Sequence, residues 1–209
     1  MDINDFNKEL LHFLDASPTP YHVVKNQIDS LQSHGFKQLH EADSWMLKLG
    51  QGYFVSRNGS SLIAFIYGRD NIVDSGIRML GAHTDSPCLK VKPNAEIIQQ
   101  GYLQLGVEVY GGVLLNPWFD RDLSLAGKVV YQDSKQAMHR CLLDFKNPIA
   151  VIPSLAIHLD REANKNRTIN LQTDIPPVLM RIDSNKTQNK LAKLLIEQLK
   201  KQYKNLDID

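Results

Sequence analysis

The chain has 209 residues, 43% of them hydrophobic and 22% charged, which is enough apolar material for one large or two small folded domains and argues against a disordered chain. Its 24 basic residues against 23 acidic ones leave a net charge of +1, so no global field draws it to nucleic acid or to an anionic membrane. Nowhere do about 18 apolar residues run together, so neither a signal peptide nor a membrane span is expected, and two cysteines without CxxC spacing, Cys88 and Cys141, suit a reducing, cytoplasmic setting.

The chain opens with two helices. Phe6, Leu10, Phe13 and Leu14 share one face at helical spacing, and a second helix is announced by Thr19 as cap, Pro20 at its first position and Gly35 just past its end. Residues 53–57 and 62–67 are short β-prone runs joined through Asn58-Gly59, a dipeptide suited to a type I′ turn, so a hairpin is expected. Residues 77–82 form another apolar run, expected as a strand, with a polar cluster from His83 to Ser86 at its carboxyl end, where α/β sheets usually carry their chemistry. The only plausible boundary falls near Pro93. Beyond it, residues 96–98, 103–109, 128–131 and 149–151 are short strand candidates between glycine- and proline-containing turns, a β-rich texture. Leu191, Leu194, Leu195 and Leu199 then form an i, i+3, i+4, i+8 stripe among lysines, which predicts an amphipathic helix over 186–203.

Gly81-Ala82-His83-Thr84-Asp85-Ser86-Pro87 is the most informative stretch. His83 and Asp85, two apart at a strand end, would project to one side and share a pocket. A neutral imidazole can give a lone pair to Zn²⁺ while a neighbouring carboxylate fixes the ring and raises its basicity. His-x-Asp spacing alone is equally the pattern of a hydrogen-bonded strand-end histidine. Asp120, Arg121 and Asp122 read as a salt-bridged turn rather than a metal cage. His22, His34, His40 and His139 stand in unrelated contexts suited to surface or capping roles. Cys88, five residues after His83, lacks the signals of a catalytic thiolate and reads as a structural thiol. Gly106, Gly111 and Gly112 do not make a phosphate-binding loop.

Several ordered blocks resemble the M18 family of metalloaminopeptidases, whose best-known members are aspartyl aminopeptidases. Ala16-Ser17-Pro18-Thr19-Pro20-Tyr21-His22 is similar to the family's opening, residues 53–65, containing Arg57-Asn58-Gly59-Ser60-Ser61, to its first hairpin, and residues 83–93 to its metal segment. Val107-Glu108-Val109-Tyr110-Gly111-Gly112 and Trp118-Phe119-Asp120-Arg121-Asp122-Leu123 are similar to the entry into its second domain, and residues 152–159 to a later strand of it. The resemblance implies an α/β fold class: residues 1–93 as the N-terminal part of an α/β metallopeptidase catalytic domain, and residues 94–209 as an incomplete β-rich dimerisation domain inserted into it. It implies that His83 ligates one Zn²⁺ of a two-metal centre, that Asp85 is the catalytic carboxylate beside it, and that His158 reaches toward the active site of a neighbouring subunit to help stabilise the reacting carbonyl. From the residues alone, His158 on an apolar run reads as a half-buried strand histidine.

The same resemblance makes the site incomplete. A two-zinc centre needs on the order of five protein ligands and a general base, and the family's later glutamate pair, aspartate and histidine ligands have no counterpart in these 209 residues. The expected function is therefore a zinc aminopeptidase releasing N-terminal, favourably acidic, residues from peptide substrates as a homo-oligomer, with this chain a portion of it and inactive by itself. The competing expectation is a non-catalytic, degraded homologue or an interaction module.

Overall fold

The computed structural model describes residues 2–182, 189–204 and 206–208. The chain divides into two compact units, Met1–Ser86 and Pro87–Asp209.

The first unit begins with the two expected helices, α1 (Ile3–Asp15) and α2 (Pro20–Ser33). Thr19 is extended and its hydroxyl accepts from the His22 N–H at 3.4 Å, and Pro20, which has no N–H to leave unpaired, takes the first turn. Asn26 ties the α1–α2 connection down by donating to the Ala16 carbonyl at 2.9 Å and to Ser17 Oγ at 3.0 Å. Gly35 leaves the second helix at φ 81°, open to glycine at no steric cost.

A three-stranded sheet follows: β1 (Lys37–Gln38) parallel to β2 (Gly52–Arg57), and β2 antiparallel to β3 (Ser61–Ile66). The hairpin is the expected one. Asn58 and Gly59 sit at φ 52° and 67°, the left-handed pair that an Asn-Gly turn supplies, and the Ser60 N–H closes on the Arg57 carbonyl at 3.1 Å. The two-residue β1 carries no periodicity and was not expected.

Gly52 permits the closest approach in this unit. A Cβ placed there would lie 2.7 Å from the Phe36 ring, inside contact distance of a rigid aromatic. Gly52→Ala should therefore cost about 1–3 kcal/mol by overpacking. Thermal unfolding checks this, and an unchanged melting temperature would show that the Phe36 ring can move aside.

Residues 77–82 correct the sequence reading. After a single turn of helix, α3 (Ile72–Ser75), the backbone runs on without pairing, so the expected strand is absent among the described residues. A strand requires a neighbour as well as an apolar sequence, and no described segment offers one.

The second unit is built on a sheet in the order β4-β5-β8: β4 (Cys88–Gln99), β5 (Tyr102–Tyr110) and β8 (Val178–Arg181), all antiparallel. Position 93, expected at a boundary, lies inside β4. The ladder shifts register between Val91 and Glu96, so proline, which has no N–H to give, occupies an irregularity rather than a regular pairing site. A separate hairpin pairs β6 (Ala126–Gln132) with β7 (Met138–Asp144). Residues 149–151 form bridges rather than a full strand: Ala150 faces Leu123, and Val151 faces Val178.

Two apolar clusters hold this unit. Ala95, Leu105, Val107, Phe119, Ile152 and Ile175 make the larger one, and Leu143, Phe145 and Leu199 the smaller. The last helix, α4 (Lys190–Gln202), lays Leu194, Leu195 and Leu199 on the smaller cluster, while Leu191 packs against the larger. Lys200 and Lys201 occupy its last turn, where cations oppose the helix dipole. The expected start of this helix, 186–188, lies outside the described residues.

Candidate metal-binding segment

His83 stands at the carboxyl end of the unpaired 77–82 run, on exposed, unpaired chain rather than at the end of a paired strand. The segment is anchored by Thr84, whose hydroxyl donates to the Ser60 carbonyl at the hairpin turn, 2.9 Å away. Sequence spacing correctly brings His83 and Asp85 together. His83 Nδ1 lies 2.8 Å from the Asp85 carbonyl oxygen and 3.2 Å from Asp85 Oδ1.

That contact decides the chemistry of the ring. A carbonyl oxygen only accepts, so Nδ1 carries the proton, and in the neutral imidazole the lone pair is then on Nε2. An oriented imidazole with Nδ1–H held by oxygen and Nε2 available is the form in which histidine binds zinc. The donor set around it is small: among the described residues, no three His, Cys, Asp or Glu side chains converge where an ion could be held. His83 and Asp85 thus suit one ligand and its orienting partner, not a whole site.

His158 occupies a turn, and this corrects the expected strand over 152–159. Pairing stops at Ile152, and the N–H groups of Leu159 and Asp160 fold back to the Ala156 carbonyl at 2.8 and 3.1 Å. The imidazole is exposed rather than half-buried, between the exposed apolar side chains of Ile157 and Leu159.

The root of that turn is held by a residue read only as part of a charged cluster. Asp120 takes φ 55°, donates its N–H to the Ile152 carbonyl at 2.9 Å, and accepts the Ser154 N–H on Oδ1 at 2.9 Å. Arg167 stacks 3.9 Å over the Phe119 ring and reaches Ser154 Oγ at 3.5 Å. Asp120 therefore serves as a cap for the chain entering the His158 turn, instead of half of a salt-bridged Asp-Arg-Asp turn.

Both thiols are free and half-buried, and burial pushes each above the ordinary thiol range, the opposite of an activated nucleophile. His34 caps α2, with its Nδ1 2.8 Å from the Ser30 carbonyl. His139 does more than expected: its Nε2 meets Asp133 Oδ2 at 2.7 Å, and its ring stacks on Tyr131 at 5.3 Å.

The carboxylates set an acid limit on the fold. Hydrogen bonds from His139 and then Ala137 hold Asp133 below the usual range, and the Ser154 N–H does the same for Asp120. A depressed folded pKa adds stability that is fully present above the unfolded value, about 3.9, and is lost as pH falls through the folded one. The melting temperature of the second unit should thus be flat from neutral pH to about 5 and fall below about 4. Asp133→Asn should lower it at neutral pH and make the acid decline shallower. An identical acid profile in that variant would contradict the assignment.

Against this geometry stand the comparisons with known proteins. The family profile described as aminopeptidase I zinc metalloprotease (M18) matches residues 13–208. The chain therefore belongs to the M18 peptidase family. It is 50% identical over 199 residues to a probable M18 family aminopeptidase 2 of Pseudomonas syringae pv. syringae, a match spanning 95% of this chain and 46% of that protein. A protein of the same description from Ectopseudomonas mendocina is 54% identical over 190 residues, 91% of this chain and 44% of the relative. Among solved structures, the Ape4 and Nbr1 complex superposes with a TM-score of 0.84 at 37% identity, covering 96% of this chain and 41% of that one. The Saccharomyces cerevisiae mApe1 dodecamer gives 0.73 at 28% identity, covering 94% and 44%. The chain spans about half the length of the curated relatives it matches. The fold is accordingly part of the M18 peptidase fold, in a family described as zinc metalloproteases.

Proposed function

We propose that this chain contributes one portion of a zinc aminopeptidase that releases N-terminal residues, acidic ones in preference, from peptides. The observation that carries the reading is the His83–Asp85 contact, which favours the tautomer with the proton on Nδ1 and leaves the Nε2 lone pair for a metal. In this reading His83 is a ligand to one zinc of a two-metal centre, and Asp85 fixes the ring and supports the chemistry beside it. Zinc held there supplies Lewis acidity and a hydroxide at near-neutral pH. His158, exposed on its turn, serves a neighbouring subunit of a homo-oligomer, where its N–H can donate to a carbonyl oxygen as negative charge develops on it. The β-rich second unit supplies the contacts of that assembly, and the unpaired thiols suit the cytoplasm.

The small donor set favours a second reading for the 209 residues taken alone, that of a non-catalytic interaction module. One assay separates the two. The purified chain with zinc should hydrolyse peptides with N-terminal Asp or Glu poorly. An extended polypeptide, this chain joined to the part of the Pseudomonas syringae relative that has no counterpart here, should bind zinc and hydrolyse them. Zinc-dependent turnover by the short chain would refute the shared-site reading, and an extended polypeptide that folds but takes up no zinc would favour the module.

A further inference from the structure

His158 is carried on an exposed turn, and an exposed turn does not by itself hold a side chain still. Its neighbours Leu155, Ile157 and Leu159 are 62%, 47% and 74% exposed, so packing within the chain does not fix the imidazole. A group that must meet a carbonyl as charge develops there loses on the order of 100-fold in rate when misplaced by about 1 Å. Whatever orders this turn is therefore part of how the histidine would work.

The order comes from the root of the turn. Ile152 is fully buried in the larger cluster and bridges Phe119, and Pro153 restricts the backbone that leaves it. Ser154 follows and is held from two sides. Its N–H donates to Asp120 Oδ1 at 2.9 Å, and the Arg167 guanidinium, stacked 3.9 Å over the Phe119 ring, reaches its hydroxyl at 3.5 Å. Asp120 is itself anchored, because its own N–H donates to the Ile152 carbonyl at 2.9 Å. One aspartate thus clamps both ends of Ile152-Pro153-Ser154, with its backbone on one side and its carboxylate on the other. Beyond the clamp the chain turns on the Ala156 carbonyl, which accepts from Leu159 and Asp160, and presents His158.

The clamp narrows the choice of residue. At φ 55° few side chains other than those of Asp and Asn are tolerated, and these two also carry the oxygen that Ser154 needs. We infer, on the reading of His158 as serving a neighbouring subunit, that Asp120 is the positioning residue for that histidine: its carboxylate fixes the Ser154 end of the turn, so the imidazole is offered to the neighbour in one orientation. Asp120 acts through the turn and touches no substrate.

Two substitutions separate the carboxylate from its backbone. Asp120→Gly keeps the left-handed conformation and removes the acceptor, whereas Asp120→Asn keeps both. In the 209-residue chain, the amides of Ser154, Leu159 and Asp160 should exchange on the order of 10-fold faster in Asp120→Gly and near the parent rate in Asp120→Asn, with β4 and β5 unaffected. Oligomers of the extended polypeptide supply the second readout. Co-expressing a His83→Ala chain with a His158→Ala chain should give turnover above either alone, since the first lends its His158 to the zinc site of the second. Asp120→Gly on the His83→Ala chain should lower kcat of these hybrids on the order of 10-fold with KM little changed, and Asp120→Asn there should restore it. On the His158→Ala chain the same Asp120→Gly should change nothing, because the histidine it positions is already gone. Equal loss from either placement would make Asp120 a general stabiliser and overturn the inference, as would unchanged exchange at Leu159 and Asp160. Hybrids that bind zinc but regain no turnover would remove the role of His158 across subunits and the inference with it. Recovery indifferent to Asp120 would overturn the inference alone and leave that role standing.

Discussion

Replacing His83 by alanine in the extended polypeptide is expected to remove zinc and peptidase activity together while leaving the fold intact. The ring is exposed and its hydrogen bonds are local, to Asp85, so its loss opens no cavity and breaks no long-range contact. Losing even the partner that orients a metal-bound histidine typically costs 10–100-fold in metal affinity or activity, and losing the ligand itself should cost at least about 100-fold. Asp85→Ala should fall within that 10–100-fold range, because the Asp85 backbone carbonyl, which survives the substitution, still holds Nδ1. Metal content measured beside turnover is the check. Full turnover in His83→Ala with zinc retained would mean that the imidazole holds no ion.

The second large effect is on stability. Phe54 is fully buried at the centre of the first sheet, in register with Ala64 of β3 and, through β1, with Gln38. Phe54→Ala should cost about 3–5 kcal/mol, the transfer free energy of the ring plus the cavity it leaves. Whole domains are stable by only about 5–15 kcal/mol, and this unit has a thin core, so the loss should unfold it in the 209-residue chain. Amides of β2 and β3 would lose protection, while those of β4 and β5, which belong to the other unit, would keep theirs. Retained protection in β2 and β3 would show that the first sheet draws its stability from elsewhere.

Local chemistry was legible in the sequence and non-local pairing was not. The Asn58-Gly59 turn and the Thr19-Pro20 helix start were readable because each is decided by backbone preferences within four residues. The stripe of α4 was readable because its apolar face packs inward as a whole, Leu191 on the larger cluster and Leu194, Leu195 and Leu199 on the smaller. β7 was missed: Met138-His139-Arg140 has no β-branched residue, and its pairing comes from the partner strand β6. β8, four residues long, exists through its contacts with β5 and Val151. The reverse error occurred at 77–82, where an apolar run announced a strand whose neighbour is not among the described residues.

The candidate site divides in the same way. The His83–Asp85 contact spans two residues and could be expected from spacing, although it forms on an unpaired segment with the ring bonded to a backbone carbonyl. The capping of Ser154 by Asp120 spans 34 residues and left only a charged triplet in the sequence. His158 was placed on a strand because its neighbours are apolar, yet those neighbours are themselves exposed, on a turn closed by Ala156.

Anomalous diffraction at the zinc edge from crystals of the zinc-loaded extended polypeptide tests the assignment most directly. An ion about 2.0–2.1 Å from His83 Nε2, with Nδ1 still bonded to Asp85, is the expected result. A ring turned away from every ion, with zinc held by other residues or absent, would contradict it.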